Sequence, residues 1–169
     1  MEVEIKAKID DANEFIKMIE GMGARFIKEK LEVDWYFNHP CRDFAETDEA
    51  LRIRSDNTLT YKGPKVDKLT KSREEHYISF NSAGDMKKIL LDLGFKEVAK
   101  VEKRRKYYTF EDLTVCVDSV KDLGSYVEIE CIGEYQPCKE KVIALANKLN
   151  IKNFERKSYL ELVLQRGEM

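Results

Sequence analysis

Glu2-Val3-Glu4-Ile5-Lys6 opens the chain with strict alternation of charged and apolar side chains. Successive side chains of a β-strand point to opposite faces. The stretch therefore reads as a strand with Val3 and Ile5 on one face and three full charges of both signs on the other. The pattern returns in Ala50-Leu51-Arg52-Ile53-Arg54, in Leu59-Thr60-Tyr61-Lys62, from Val101 to Tyr108, in Thr114-Val115-Cys116-Val117-Asp118, and in Tyr126-Val127-Glu128-Ile129-Glu130. Within Lys103-Arg104-Arg105-Lys106 only alternate members share a face, so a strand there directs Lys103 and Arg105 together.

Between these strands the apolar period changes to that of helices. Asp10-Asp11 offers an N-cap to a helix carrying Phe15, Ile16, Ile19 and Met22, stopped by Gly21 and Gly23. Ser82 caps a second, with Met86, Ile89, Leu90 and Leu93, closed by Gly94. Pro137 suits the first turn of a third, with Val142, Ile143, Leu145, Ala146 and Leu149. Phe44 to Asp48 reads as a short helical turn and Arg156 to Leu162 as a capped short helix. Residues 25–37 form a long strand, Asp56-Asn57 turns a hairpin that Gly63-Pro64 ends, residues 65–70 are a polar loop, and Lys71 to Phe80 is extended. This gives about eight strands and three or four helices joined mostly by turns, an antiparallel α+β arrangement. Each half of the chain runs strand, helix, long strand, hairpin.

A chain of 169 residues with 43% hydrophobic content can bury one substantial core, and a single domain over 1–169 is expected. Charged residues reach 37% with a net charge of -2, which argues against a general nucleic-acid binder. No apolar run approaches the roughly 18 residues of a membrane span, and no secretory segment is expected. Cys41, Cys116, Cys131 and Cys138 show no C-x-x-C spacing, so reduced thiols in a cytoplasmic protein are expected.

Helices packed on the apolar faces would leave the charged faces of the strands turned toward one another. If the sheet closes into a barrel, its interior is lined by Glu2, Glu4, Lys6, Arg52, Arg54, Lys62, Arg73, Glu75, Lys103, Arg105, Asp118, Glu128 and Glu130. So many enclosed charges are costly to desolvate unless paired, hydrated or occupied by a charged ligand. Guanidinium and ammonium groups suit a polyphosphate. Carboxylates beside them would repel phosphate unless they hold a divalent cation, and Mg²⁺ or Mn²⁺ takes one or two carboxylates together with phosphate oxygens. Glu2, Glu4, Glu128 and Glu130 fit that role. No Gly-rich phosphate loop is present, so phosphate binding would rest on side chains.

Glu2-x-Glu4-x-Lys6 resembles the ExExK signature of the CYTH, or triphosphate tunnel metalloenzyme, superfamily. Leu51-Arg52-Ile53-Arg54, Leu59-Thr60-Tyr61-Lys62-Gly63, Ser72-Arg73-Glu74-Glu75, Lys103-Arg104-Arg105, Val117-Asp118 and Leu123 to Glu130 extend the likeness. The ending Arg156-Lys157-Ser158-Tyr159-Leu160-Glu161-Leu162 is similar to that of the class IV adenylyl cyclase branch. The resemblance implies a closed eight-stranded antiparallel β-barrel with helices outside, binding a nucleoside or inorganic triphosphate with Mg²⁺ or Mn²⁺. On it, Glu4 and Glu128 would be the principal metal ligands, supported by Glu2 and Glu130. Lys6, Arg52, Lys103 and Arg105 would be the catalytic cations, and Arg54, Lys62, Arg73, Glu75, Asp118 and Lys157 further substrate contacts. A homodimer is compatible with the resemblance.

Three activities fit such a site. The leading one is conversion of ATP to cyclic AMP and pyrophosphate. The second is hydrolysis of inorganic triphosphate or an organic one such as thiamine triphosphate. The third is binding of a nucleotide or polyphosphate without turnover.

Overall fold

A computed structural model of the chain describes residues 1–167. The elements run β1 (Glu2–Lys8), α1 (Ala12–Gly21), β2 (Arg25–Asn38), α2 (Phe44–Thr47), β3 (Ala50–Arg54), β4 (Thr58–Lys62), β5 (Glu75–Ser79), α3 (Ala83–Asp92), β6 (Lys96–Phe110), β7 (Leu113–Val120), β8 (Gly124–Ile132), α4 (Tyr135–Lys148) and α5 (Tyr159–Gly167). At α1 and α3 the local chemistry matches the expected boundaries, whereas α5 runs Tyr159–Gly167 rather than Arg156–Leu162. Asp11 accepts the Glu14 amide at 3.0 Å, and Ser82 accepts the Asp85 amide at 3.1 Å. Ser158 and Glu161 cap each other's amides at the start of α5. Gly94 ends α3 at φ +94°, and a Cβ there would meet Pro40 Cβ at 3.2 Å, so the position needs glycine twice over.

All eight strands belong to one sheet in the order β1-β8-β7-β6-β2-β3-β4-β5. Exchanging β1 with β5, β2 with β6, β3 with β7 and β4 with β8 returns the same order reversed, so the loose likeness between halves is a true topological repeat. The fold class is α+β with an antiparallel eight-stranded sheet, but the barrel is not closed: the order has two ends, β1 and β5. The physical reason at β1 is that its outer edge is already hydrogen-bonded. The carbonyls of Glu4 and Lys6 accept the amides of Lys71 (2.9 Å) and Glu155 (2.7 Å). A strand edge satisfied by loop backbone has no ladder to offer.

The chain divides into two compact units. The first comprises residues 1–31, 66–72 and 103–156. Its core sets Val3 and Ile5 of β1, Val115 and Val117 of β7, and Val127 and Ile129 of β8 against Phe15 and Ile19 of α1 and Val142, Leu145 and Ala146 of α4. The second comprises residues 32–65, 73–102 and 157 onward. Its smaller core joins Phe37, Phe44, Leu51, Ile53 and Leu90, with Trp35, Leu59 and Met86 packed against them.

One expectation about cysteine fails. Cys131 and Cys138 form a disulfide with Cα atoms 5.4 Å apart, while Cys41 and Cys116 are free thiols. The bond joins the end of β8 to the first turn of α4, both sulfurs lying in the core. No single period runs across a strand-to-helix junction, so only the three-dimensional turn brings the pair together.

Candidate active site: two clusters of buried charge

In the first unit, register places the charges. Glu4 pairs across the ladder with Glu130 and Lys6 with Glu128, while Arg105 pairs with Asp118. Because the ladder is antiparallel and the period is two, all of these side chains share one face. Glu4, Lys6, Lys103, Arg105, Asp118 and Glu128 are all buried. Arg105 grips Asp118 with both Nε and Nη2 at 2.6 Å. The same Nη2 reaches Glu128 at 2.8 Å, and Nη1 lies 3.6 Å from Glu130. Arg104, between Lys103 and Arg105, is exposed, as alternation required.

Electrostatics follow from this enclosure. Burial favours the neutral form of Glu128, but Lys71, Arg105, Lys6 and Lys103 outweigh it and hold the carboxyl well below the usual range. Lys6 is pushed well below the ordinary lysine value, first by burial and then by the Lys71 ammonium, against the pull of Glu128 and Glu4. The Arg105 guanidinium, despite burial, is held charged by Asp118.

The resemblance makes Glu4 and Glu128 the principal metal ligands with Glu2 and Glu130 in support, whereas the structure groups Glu4 with the supporting pair. Carboxylate oxygens of Glu2, Glu4 and Glu130 come within 4.8 Å of one another. An all-carboxylate set of hard oxygen donors at that spacing suits Mg²⁺ or Mn²⁺. Glu128 is instead given to Arg105, to Lys71 at 3.5 Å and to Lys6 at 3.9 Å.

The second unit carries the remaining candidates. Arg54 grips Asp34 with Nε at 2.7 Å and Nη2 at 3.0 Å, and lies 3.3 Å from Glu32. Arg52 donates to the Thr60 hydroxyl at 3.2 Å and stands 4.0 Å from Asp34. Its Nε is a buried donor with no hydrogen-bond partner among the described residues, the state of a guanidinium ready for an anion. Burial and Arg54 oppose its charge, yet Asp34 and other acidic neighbours keep it protonated. Lys62 is bonded to Glu75 at 2.6 Å, and Arg73 lies 3.8 Å from Asp48. Lys157 is exposed and donates to Gln165 at 2.7 Å on α5.

Several site residues were not anticipated. Glu32 and Asp34 belong to the long strand β2 and share one face of it by parity. Lys71 reaches Glu4 and Glu128 from the segment Val66–Ser72, which no periodic pattern marks. Its parity with Arg73 and Glu75 was the one available signal.

Comparison with known proteins gives this arrangement its family. The CYTH domain matches residues 1–161, and the chain belongs to that family, whose members are metal-dependent enzymes of adenylate cyclase or triphosphatase type. The chain is 44% identical to MJ0240 of Methanocaldococcus jannaschii, which is named as a candidate adenylate cyclase, over 96% of this chain and 98% of that one. It is similar to the solved structure of PH1819 from Pyrococcus horikoshii OT3, with TM-score 0.89, 37% identity, and 98% and 99% of the two chains covered. It also shares its fold with HpAC1 from Hippeastrum, described as an adenylyl cyclase candidate with a dominant triphosphatase activity (TM-score 0.69, 19% identity, 99% and 96% covered).

Proposed function

We propose that this chain converts ATP to cyclic AMP and pyrophosphate, as a class IV adenylyl cyclase. The observation that carries a metal–triphosphate reading is the set of carboxylates of Glu2, Glu4 and Glu130 within 4.8 Å, beside the buried cations Lys6, Lys103 and Arg105. The kinship with MJ0240 favours cyclisation.

Glu2, Glu4 and Glu130 would hold Mg²⁺ or Mn²⁺, which when bound supplies Lewis-acid charge to the phosphate oxygens. Lys6, Lys103 and Arg105 bind phosphate oxygens and stabilise charge on the leaving group. In the second unit Arg52, through its unpartnered Nε, is a candidate anion contact, and so are Arg54, Lys62 and Arg73. Asp118 holds Arg105 in place. Glu75 orients Lys62. In the reaction the ribose 3′-oxygen forms a bond to the α-phosphorus as the bond to the bridging oxygen breaks. The 3′-hydroxyl proton goes to solvent and pyrophosphate leaves. Catalysis on this scheme is positioning plus charge stabilisation. ATP is a cytoplasmic substrate, so the proposal carries a cytoplasmic location.

The dominant activity of HpAC1 favours a second reading, hydrolysis at the terminal phosphorus. Incubation with ATP, inorganic tripolyphosphate and thiamine triphosphate, in Mg²⁺ and in Mn²⁺, separates the two. Cyclic AMP with pyrophosphate supports the cyclase, and orthophosphate supports the hydrolase. Tight binding without turnover overturns both. Glu4→Gln should lower metal-dependent turnover by about 100-fold or more while the circular dichroism spectrum is retained.

A further inference from the structure

The buried cations Lys6, Lys103 and Arg105 of the first unit stand on strands, whereas Lys71 stands on the strap Val66–Ser72. That strap is built to a fixed shape. Its ends join through the Val66 amide and the Ser72 carbonyl at 2.9 Å, and the Lys71 amide is bonded to the Glu4 carbonyl. The Asp67 carboxylate accepts the amides of Leu69 (2.7 Å) and Thr70 (2.6 Å), the Thr70 hydroxyl and the Tyr135 hydroxyl of α4. Arg156 donates to the Asp67 carbonyl at 2.7 Å. Asp67 is thereby held below the ordinary carboxylate range: burial opposes its ionisation, and the Tyr135, Thr70 and Leu69 hydrogen bonds outweigh it. So many restraints serve to deliver one side chain. The Lys71 ammonium is bonded to Glu4 Oε1 and stands 3.5 Å from Glu128 Oε1, almost fully buried.

Glu4 is also a member of the carboxylate set with Glu2 and Glu130. One carboxylate therefore serves both an internal ammonium and the place proposed above for a divalent cation. We propose that Lys71 is a built-in competitor of the metal. It neutralises Glu4 and Glu128 while no substrate is bound, and passes to a phosphate oxygen when the metal–triphosphate complex enters. Metal alone then binds weakly, and metal with triphosphate binds tightly, because the triphosphate offers the displaced ammonium a new anionic partner. The inference rests on the reading that Glu4 is a metal ligand.

The test is Mn²⁺ binding without nucleotide, read by the loss of the free-ion electron paramagnetic resonance signal, in wild type and Lys71→Met. The variant should bind Mn²⁺ about tenfold tighter, and the factor by which added tripolyphosphate tightens Mn²⁺ binding should fall by a similar amount. Unchanged or weaker Mn²⁺ binding in Lys71→Met overturns the proposal and leaves the metal site standing. Absence of Mn²⁺ binding in both proteins, with tripolyphosphate present, overturns the metal reading along with it. Should Lys71→Met not fold, Tyr135→Phe decides: it loosens the strap without touching the ammonium. A few-fold gain in Mn²⁺ affinity supports the proposal, and no gain overturns it.

Discussion

Arg105 on β6 grips Asp118 on β7, and Asp34 on β2 is gripped by Arg54 on β3. Each pair lies directly across its ladder, and the topological repeat equates β6 with β2 and β7 with β3. The two halves thus hold the same two-pronged ion pair with acid and base exchanged. The ladders extend the equivalence. Glu128 corresponds to Thr60, Glu130 to Lys62, and Cys116 to Arg52. At these equivalent positions β7 and β8 carry the carboxylates Asp118, Glu128 and Glu130, whereas β3 and β4 carry the cations Arg52, Arg54 and Lys62. The repeated strand frame therefore carries opposite charge at equivalent positions, through differences confined to one side-chain parity.

The sharpest way to break this comparison is to remove the arginine from each pair. Arg105→Met leaves Asp118 and Glu128 buried beside too little positive charge and should cost about 3–5 kcal/mol of stability. Arg54→Met should cost about 1–3 kcal/mol, because Arg52 remains beside Asp34 and the site is less enclosed. Urea unfolding of both variants measures the difference. Equal losses would mean the pairs are equivalent in environment as well as in geometry.

Anion binding gives a smaller expected effect. Arg52→Ala should weaken tripolyphosphate binding by about 2–4 kcal/mol in calorimetry. Its effect on metal-only binding should be negligible, the reverse of what Glu4→Gln should do. An Arg52→Ala variant with wild-type tripolyphosphate affinity would remove the second unit's cluster from substrate binding.

The smallest effect concerns acid stability in the second unit. Hydrogen bonds from Arg42, Thr47 and Tyr61 lower the Glu49 carboxyl to about 2. A carboxyl depressed by folding contributes stability that is present above its unfolded pKa, about 4.3, and is lost as pH falls through the folded value. Urea midpoints should therefore decline between pH 4.5 and 2, and Glu49→Gln should flatten part of that decline. An unchanged slope would mean that Glu49 does not carry it.

Alternation was a reliable guide wherever a strand buries both faces by different means. Val3, Ile5, Val127 and Ile129 meet α1 and α4, and Glu4, Lys6 and Glu128 share the opposite, charged face, as their parity required. It failed where backbone leaves the period. The strap carrying Lys71 has no regular ladder, the disulfide spans a strand-to-helix turn, and β1 spends its edge hydrogen bonds on Lys71 and Glu155.

By itself the sequence determined which side chains share a face, where α1 and α3 start and stop, and that charge rather than apolar surface gathers on the common face of the strands. Those properties depend on local geometry, a period of two or 3.6 and a handful of caps. The tertiary structure alone decided which carboxylates meet: Glu2 and Glu4 with Glu130, and Glu128 with Arg105 and Lys71. It also decided that the sheet has ends. Ladder register and long-range hydrogen bonds join residues as far apart as Glu4 and Glu130, and no local pattern encodes that distance.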